Sequence, residues 1–221
     1  LTLLVLQDAT KLNQRVQQLK LAALGQLSAS IAHEIRNPLA AIVQANELLS
    51  DSDPQQQAVL SRMIAKQTQR IDRIVQDTLN MVRNKETHPS TIELKQFIPL
   101  LILEDLADIA PQIKYTVQSK IFVHFDEAQL RQVLINLIRN AIRHNAPEHS
   151  HIELNVYLHD NNVRIDVRDF GAGVASKDLA YLFQPFFSTE ITGTGLGLYL
   201  SHSFCEANQA KLNYVKQEKG A

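Results

Sequence analysis

The sequence predicts two folds in one chain of 221 residues, an all-helical segment followed by an α+β domain. In the first part, apolar residues return at alternating steps of four and three, the spacing of helices packed in a bundle. Beyond about residue 88, short runs of alternating apolar residues indicate strands, with amphipathic helices between them. Blocks of strands and helices are typical of a sheet covered by helices on one face.

The composition is that of an ordinary globular protein, with 45% apolar and 20% charged residues. The net charge is −1, from 22 basic and 23 acidic residues, so charge gives no reason to expect nucleic acid or membrane binding. Cys205 is the only cysteine, which excludes an internal disulfide and indicates a reducing compartment. No apolar run is long enough to span a membrane. Because the chain begins with Leu1 rather than Met, we expect it to be a fragment.

The N-terminal residues predict the end of an upstream domain. An apolar run over residues 1–6 indicates a strand without partners, and we place the end of that domain at residues 1–10. From residue 11 the composition becomes polar and helix-favouring, and it should continue without a break into the helix around His33. We assign residues 11–86 to a helical hairpin and residues 87–221 to the α+β domain.

The first long helix carries His33 on the side opposite its apolar stripe. At about 100° per residue, His33 lies roughly 200° from Ile31 and Ile35, and Asn37 shares its face. A solvated imidazole beside the Glu34 carboxylate can act as a nucleophile, although a lone histidine on a helix is usually a surface residue. A zinc protease would need His-Glu-x-x-His, and Asn37 occupies the fifth position. The stripe consists of Leu24, Ser28, Ile31, Ile35, Pro38, Ile42, Ala45 and Leu49.

A second helix is predicted to start at Pro54, after the turn signal of residues 50–53. Two helices joined by a short turn form an antiparallel hairpin. Alone they cover little apolar surface, so we expect a homodimer in which two hairpins form a four-helix bundle. The stripe of the second helix is Leu60, Ile64, Gln67, Ile71, Ile74, Thr78 and Met81.

The second domain should contain several short elements. Alternating residues predict a β-hairpin over residues 152–158 and 163–167. We also predict a strand over residues 121–123, an amphipathic helix over 126–145, a helix over 195–207 and a strand over 211–216.

Four segments of this domain can be interpreted as parts of one nucleotide site, three by their polar or glycine patterns and one by its aromatic residues. Asn136 and Asn140 lie four apart on one helix face, where an amide oxygen could hold Mg²⁺, and Arg143 could meet a phosphate; the alternative is two surface amides. The segment 169–173, Asp-Phe-Gly-Ala-Gly, could accept a hydrogen bond from an exocyclic amine, or be a tight turn. Gly-rich residues 193–198 precede a helix and expose backbone N–H groups to phosphate, a weak signal alone.

Several of these and neighbouring residues have other interpretations. Asp-Phe-Gly is also a protein-kinase motif, but the companion His-Arg-Asp and Val-Ala-Ile-Lys segments are missing. The aromatic cluster of residues 183–187, followed by polar Thr189, is either core or the anchor of a lid. His144, His149 and His151 are more typical of solvated loop histidines than of a metal site.

These segments, taken in order, resemble the motifs of the sensor histidine kinases of two-component systems over nearly the whole chain. Within that family, further segments resemble the nitrogen-sensor group and the kinases that control type IV pili, and the first ten residues resemble the end of a PAS sensor domain. Residues 33–39 resemble the H box, the Asn140 helix the N box, residues 169–173 the G1 box, 183–187 the F box and 193–198 the G2 box.

The resemblance implies a dimeric helical hairpin followed by a Bergerat-type (GHKL) α/β-sandwich domain that binds ATP and Mg²⁺. It implies that His33 is the phosphoacceptor, that Glu34 takes its proton, and that Asn37 orients water during dephosphorylation of the partner, a response-regulator receiver domain. It implies Asn140 as the metal ligand. The implied nucleotide contacts are Asn136, Asn140, Arg143, His144, Asp169, Gly171, Gly173, Phe183, Thr189, Gly193, Thr194, Gly195, Leu196, Gly197 and Leu198.

The chain departs from the family pattern in two places. Residues 190–192, Glu-Ile-Thr, stand where many relatives have a Lys or Arg, and a further strand found in relatives is missing before Ala221. The resemblance further implies the cytoplasmic portion of an inner-membrane-anchored bacterial protein, with the anchor outside this chain. Two alternatives stay open, a GHKL-type ATPase and a dimeric signalling scaffold that binds ATP without turnover.

Overall fold

The computed structural model divides the chain into two compact units, Leu1–Val82 and Arg83–Ala221. The predicted upstream strand and the predicted helical start over residues 11–20 lie outside the described residues. None of the described helices combines the length and the apolar character that crossing a membrane requires. The structure describes residues 31–50, 52–82, 87–189 and 194–217.

The described part of the first unit is a pair of helices separated by a short non-helical segment. The described part of helix α1 covers residues 31–49 and passes through Pro38 without interruption. Helix α2 is Pro54–Val82. The Asp53 carboxylate accepts hydrogen bonds from the backbone N–H groups of Gln55 and Gln56, at 2.9 and 2.8 Å, and so caps the first turn. The predicted turn and the predicted helix start at Pro54 are confirmed.

Every described position of the predicted stripes is buried or half-buried. Ala45 and Ile74 are almost completely buried, at 2% and 0% exposure. The stripe positions Leu24 and Ser28, and the Met81 side chain, lie outside the described part of the chain. A second set of apolar side chains remains exposed, which leaves apolar surface for another helix pair to cover. This set is Leu39, Val43, Leu48, Val59, Met63, Val75 and Leu79.

The described part of the second unit combines three helices with two small sheets. The described elements are β1 Ser90–Glu93, α3 Leu94–Asp105, β2 Ile113–Val117, β3 Phe122–Phe125, α4 Glu127–His144, β4 Ile152–His159, β5 Asn162–Arg168 and α5 Gly197–Ala207, with 3₁₀ turns at Ala110–Gln112 and Leu179–Tyr181. Strands β2, β4 and β5 form one sheet, in which β2 is parallel and β5 antiparallel to β4; β1 and β3 form an antiparallel pair.

The core of this unit lies between the helices and one face of the three-stranded sheet. On β4, the fully buried Ile152, Leu154 and Val156 alternate with less buried polar residues, so the helices cover one face only. Helix α4 contributes five buried apolar residues and α3 another five. Cys205 of α5 is buried in the same cluster, and burial, with the nearby Glu206 carboxylate, raises the pKa of its thiol to about 11. It is therefore a neutral thiol at neutral pH.

The predicted hairpin and the predicted helix over 126–145 are confirmed. Asp160 and Asn161 adopt positive φ angles of 48° and 60°, as a two-residue hairpin turn requires. Helix α5 begins two residues later than predicted, at Gly197, and strand β3 is shifted to Phe122–Phe125.

The predicted strand over residues 211–216 is wrong. The described residues 210–217 form neither helix nor strand. Leu212 packs against the core, and the Tyr214 hydroxyl accepts a 2.9 Å hydrogen bond from the Val174 N–H. The alternation of apolar residues therefore reflects side-chain packing, because no strand among the described residues supplies backbone hydrogen bonds to this segment.

Asp126 caps helix α4 and holds the entry of the chain into the second unit. Its two carboxylate oxygens each accept a 3.0 Å hydrogen bond, from the backbone N–H groups of Gln129 and His88. Its own N–H donates to the Asn208 side chain at 2.8 Å. Burial alone would raise the pKa of this carboxyl, but hydrogen bonds from the N–H groups of His88, Gln129 and Ala128 outweigh it and lower that pKa.

We predict that Asp126→Ala lowers the unfolding free energy by about 1–2 kcal/mol, the usual effect of removing such a cap. Because the pKa is lowered in the folded state, this stabilisation is present above the ordinary carboxyl pKa of 3.8 and is lost as pH falls through the folded value. Urea unfolding at pH 7 and at pH 5 should show the full difference in unfolding free energy from the parent. At pH 4 and below, that difference should shrink as the pH falls.

The matched variant is Asp126→Asn, which keeps an acceptor for Gln129 but turns an amide NH₂ toward the His88 N–H. Its stability should lie between those of the parent and Asp126→Ala. A difference that stays constant down to pH 3 would contradict the assignment of charge to this cap.

Candidate active site

His33 is exposed on α1, and the neighbouring Glu34 is held by the other helix of the hairpin. An oxygen of the Glu34 carboxylate lies 3.2 Å from a guanidinium nitrogen of Arg70, which belongs to α2. The Arg70 side chain is only 15% exposed and that of Glu34 28%, so the ion pair is partly shielded from water. Asn37 is exposed one turn after His33. The hairpin thus presents an imidazole and an amide to solvent, with a fixed carboxylate beside them.

Sequence reasoning missed Arg70. The available signal was its position directly before Ile71, because charged residues that flank an apolar stripe commonly form ion pairs between helices. The sequence does not reveal which acidic residue of α1 such an arginine meets, since that depends on the register of the two helices.

Asn136 joins α4 to the start of α5. Its side-chain nitrogen donates to the Gly197 carbonyl at 3.3 Å and to the Ser201 hydroxyl at 3.4 Å, and its oxygen accepts from Gln132 at 3.1 Å. A Cβ placed on Gly197 would lie 3.7 Å from the Asn136 side chain, which is ordinary contact. The Asn136 amide is therefore engaged within the protein.

Asn140, one turn later, differs from Asn136. Its side chain is half-buried, and no described residue forms a hydrogen bond with its amide. Arg143 and His144 are exposed in the last turn of α4. An amide oxygen in this position is available as a hard ligand.

The Asp169 loop packs against the end of α4. One carboxylate oxygen, Oδ1, accepts a 2.8 Å hydrogen bond from the Gly171 N–H. A Cβ on Gly171 would lie 2.0 Å from the His144 carbonyl oxygen, so only glycine fits there. Gly173 has a φ of 69°, in the left-handed region that favours glycine. The second oxygen of Asp169, Oδ2, accepts no hydrogen bond from a described residue.

The aromatic segment and the glycine-rich segment contact each other. Gly195 has a φ of 65°, and a Cβ there would lie 2.4 Å from the carbonyl carbon of Phe186. The Phe183 ring stacks on His202 of α5 at 5.0 Å. Leu196 is completely buried, and its N–H donates to the Thr194 hydroxyl at 3.4 Å. This cluster of aromatics is thus a contact surface for the start of α5.

The remaining predicted residues are placed as follows. Leu198 is half-buried in the first turn of α5, and Thr189 is exposed. Gly193 and residues 190–192 lie outside the described part of the chain. The structure therefore brings the N-box helix against the G1 and G2 segments, and the F-box segment against G2.

This arrangement suits a magnesium-bound nucleotide. No group of three His, Cys, Asp or Glu side chains that could hold a metal occurs among the described residues. Asn140 instead offers a single amide oxygen, which fits an ion that takes its other ligands from phosphates and water. The unengaged Oδ2 of Asp169 fits an amine donor, and the glycine segment fits a close approach of phosphate.

Two protein families match the two units. The His Kinase A (phospho-acceptor) domain family matches residues 23–87, which include His33. The histidine kinase-, DNA gyrase B- and HSP90-like ATPase family matches residues 125–221, which include all four nucleotide segments.

Curated relatives align with almost the whole chain. The chain is 37% identical over 229 residues to the sensor protein kinase PilS of Pseudomonas aeruginosa, an alignment that covers 99% of this chain and 43% of PilS. It is 31% identical over 220 residues to the sensor histidine kinase ZraS of Escherichia coli K12, covering 97% of this chain and 46% of ZraS. The chain therefore spans less than half the length of these relatives.

Solved structures share the fold. The histidine kinase ThkA, in complex with the response regulator protein TrrA, matches with a TM-score of 0.78 at 22% identity, over 98% of this chain and 65% of that one. The Acinetobacter baumannii histidine kinase AdeS matches with a TM-score of 0.67 at 23% identity, over 85% of this chain and 93% of that one. With both domains present in this order, and with sensor kinases aligned along nearly its full length, the chain belongs to the sensor histidine kinases.

Proposed function

We propose that this chain is an ATP-dependent protein histidine kinase core, which phosphorylates itself on His33 and passes the phosphoryl group to an aspartate of a response regulator. One observation carries the proposal: an exposed histidine beside an ion-paired carboxylate stands in a phospho-acceptor domain, and the same chain continues into an ATPase domain. An ATPase without a phospho-acceptor, such as a gyrase-like motor, would not need the first unit.

In the first step, an imidazole nitrogen of His33 forms a bond to the γ-phosphorus of ATP. The bond from that phosphorus to the β–γ bridging oxygen breaks, and ADP leaves with the electron pair. Glu34 takes the imidazole N–H proton, which keeps the nitrogen lone pair available for attack. Arg70 orients Glu34 through the 3.2 Å ion pair and leaves its other oxygen free of described partners.

The second unit binds the nucleotide. Asp169 accepts a hydrogen bond from the adenine amine through Oδ2, and the backbone around Gly195 and Gly197 contacts the phosphates. Asn140 would hold Mg²⁺ through its amide oxygen, and the ion would supply charge neutralisation to the phosphates. In the proposal, the residues that line or support this site are Arg143, His144, Gly171, Gly173, Phe183, Thr189, Gly193, Thr194, Leu196 and Leu198. Asn136 has its amide engaged by Gly197 and Ser201, so it positions the glycine segment.

In the second step, the bond between His33 and phosphorus breaks as a carboxylate oxygen of the response regulator attacks. Asn37 has no proton to exchange at neutral pH, but its amide can orient a water that hydrolyses the resulting aspartyl phosphate. The structure of ThkA in complex with TrrA supports a receiver domain as the partner. The exposed apolar set on α1 and α2 supports a homodimer in which two hairpins pair as a four-helix bundle.

The proposal extends to the setting of the protein. The resemblance to membrane-anchored sensor kinases supports a cytoplasmic position in a protein whose inner-membrane anchor lies outside this chain. The 37% identity to PilS supports a role in type IV pilus regulation as the specific hypothesis. The rival is a dimeric scaffold that binds ATP without turnover.

We predict that His33→Gln abolishes labelling by γ-phosphate-labelled ATP and leaves nucleotide affinity near that of the parent, because the imidazole is exposed in the other unit of the chain. The label on the parent should be acid-labile and base-stable, as a phosphoramidate is. The matched control is His124→Gln, which changes another exposed histidine and should label normally. Undiminished labelling of His33→Gln refutes the phosphoacceptor assignment, and an unlabelled parent that still binds ATP supports the scaffold.

A second prediction separates two activities on one helix face. Glu34→Ala should slow autophosphorylation on the order of 10²-fold or more, the usual scale of a positioned base. Asn37→Ala should autophosphorylate within a few-fold of the parent and lose most phosphatase activity toward the phosphorylated regulator. Both rates are measured on both variants. If Asn37→Ala loses autophosphorylation as severely as Glu34→Ala, this division of roles is wrong.

A further inference from the structure

Asn145, the residue at the C-terminal cap of α4, ties three segments together with one amide group. Its oxygen accepts a 2.9 Å hydrogen bond from the Phe170 N–H. Its nitrogen donates to the carbonyl oxygens of His149, at 2.9 Å, and His151, at 3.1 Å. Both hydrogens of the amide are therefore used, and the end of α4 is joined to the residue that follows Asp169.

The Phe170 ring is held as well as its backbone. The imidazole of His149 stacks on it, with ring centroids 4.3 Å apart and planes 15° apart. The guanidinium of Arg168 lies over the ring at 4.9 Å, and His151 meets it edge-on at 6.2 Å. The two residues whose carbonyls Asn145 binds are thus the same two whose rings contact Phe170.

These contacts fix the position of Asp169. The Phe170 nitrogen lies in the same rigid peptide plane as the Asp169 carbonyl and Cα, so the hydrogen bond from Asn145 orients that plane. On the side-chain end, Asp169 Oδ1 accepts from the Gly171 N–H, and Gly171 is lodged against the His144 carbonyl. Asp169 is thus held through both its backbone and its side chain, while no described residue forms a hydrogen bond with Oδ2.

We infer that Asn145 is a positioning residue that sets the selectivity of the site for a 6-aminopurine over a 6-oxopurine. The inference rests on the proposed function, in which Oδ2 of Asp169 accepts from the adenine amine. A 6-oxopurine presents an acceptor to that oxygen and is rejected only if the carboxylate stays in place, because hydrogen bonds discriminate by geometry. A loosened Asp169 can turn aside and tolerate the oxo group.

The competing explanation is that Asn145 only stabilises the end of α4. Loss of stability reduces the fraction of folded protein, which lowers the number of binding sites but leaves the ratio of the two affinities unchanged. A change in that ratio therefore separates positioning from stability.

The experiment measures the affinities of ADP and IDP in the presence of Mg²⁺ by titration calorimetry, using diphosphates so that no phosphoryl transfer occurs. Asn145→Ala should reduce the ADP-to-IDP preference about tenfold or more. The matched control is Asn162→Ala, which removes an exposed amide bonded only to the Asp160 carbonyl, at 3.1 Å, among the described residues, and should keep the parent preference. Phe170→Leu keeps an apolar side chain but removes the ring contacts, and it should reduce the ADP-to-IDP preference by a smaller factor than Asn145→Ala does. If Asn145→Ala does not fold, the preference measured on Phe170→Leu tests the inference.

Asp169→Asn separates failure of this inference from failure of the proposed function. It should abolish the preference, and adding Asn145→Ala to it should cause no further loss. If Asp169→Asn loses the preference while Asn145→Ala and Phe170→Leu keep it within twofold, the inference is overturned and the adenine site stands. If Asp169→Asn itself keeps the preference, the proposed adenine contact is wrong and the inference falls with it.

Discussion

The burial of one face of α4 against the sheet determines where the residues of the proposed nucleotide site lie. Leu134 and Ile138 are 2% and 0% exposed, and the helix cannot rotate without taking them into water. Asn136 and Asn140 are consequently presented on the other side, and the helix ends at Asn145. The glycine segments then pack against this fixed helix, Gly171 at its last carbonyl and Gly197 beside Asn136. A single amphipathic helix thus positions both glycine segments.

Side-chain periodicity predicted those elements whose two faces differ strongly. Helix α4, the hairpin of β4 and β5, and the stripes of α1 and α2 all have one apolar and one polar side. Helix α3 was missed because its sequence is apolar on most sides and contains Pro99, so neither a stripe nor a helix signal stands out. The segment 211–216 was assigned wrongly because alternation records which side chains are covered, and it contains no information about a backbone partner.

The candidate site divides in the same way. The residues for which we propose a chemical function, such as His33, Asn140 and Asp169, were singled out in the sequence because their types and spacings are unusual in themselves. Arg70 and Asn145, which hold those residues in place, were not found. Their partners lie on other elements, 36 residues away for the ion pair of Arg70 with Glu34 and 25 for the hydrogen bond to Phe170. Such pairs depend on helix register and loop path, which periodicity does not encode.

The contact between Asp126 and residue 88 has a mechanical meaning. The carboxylate that binds this N–H also caps α4, so a displacement of the chain at residue 88 would act directly on the first turn of that helix. Asn140 lies about 20 Å further along the helix, at 1.5 Å per residue. The main-chain N–H of residue 88 donates the hydrogen bond, and the imidazole adds only an electrostatic attraction to the carboxylate. Any amino acid except proline can therefore donate this hydrogen bond.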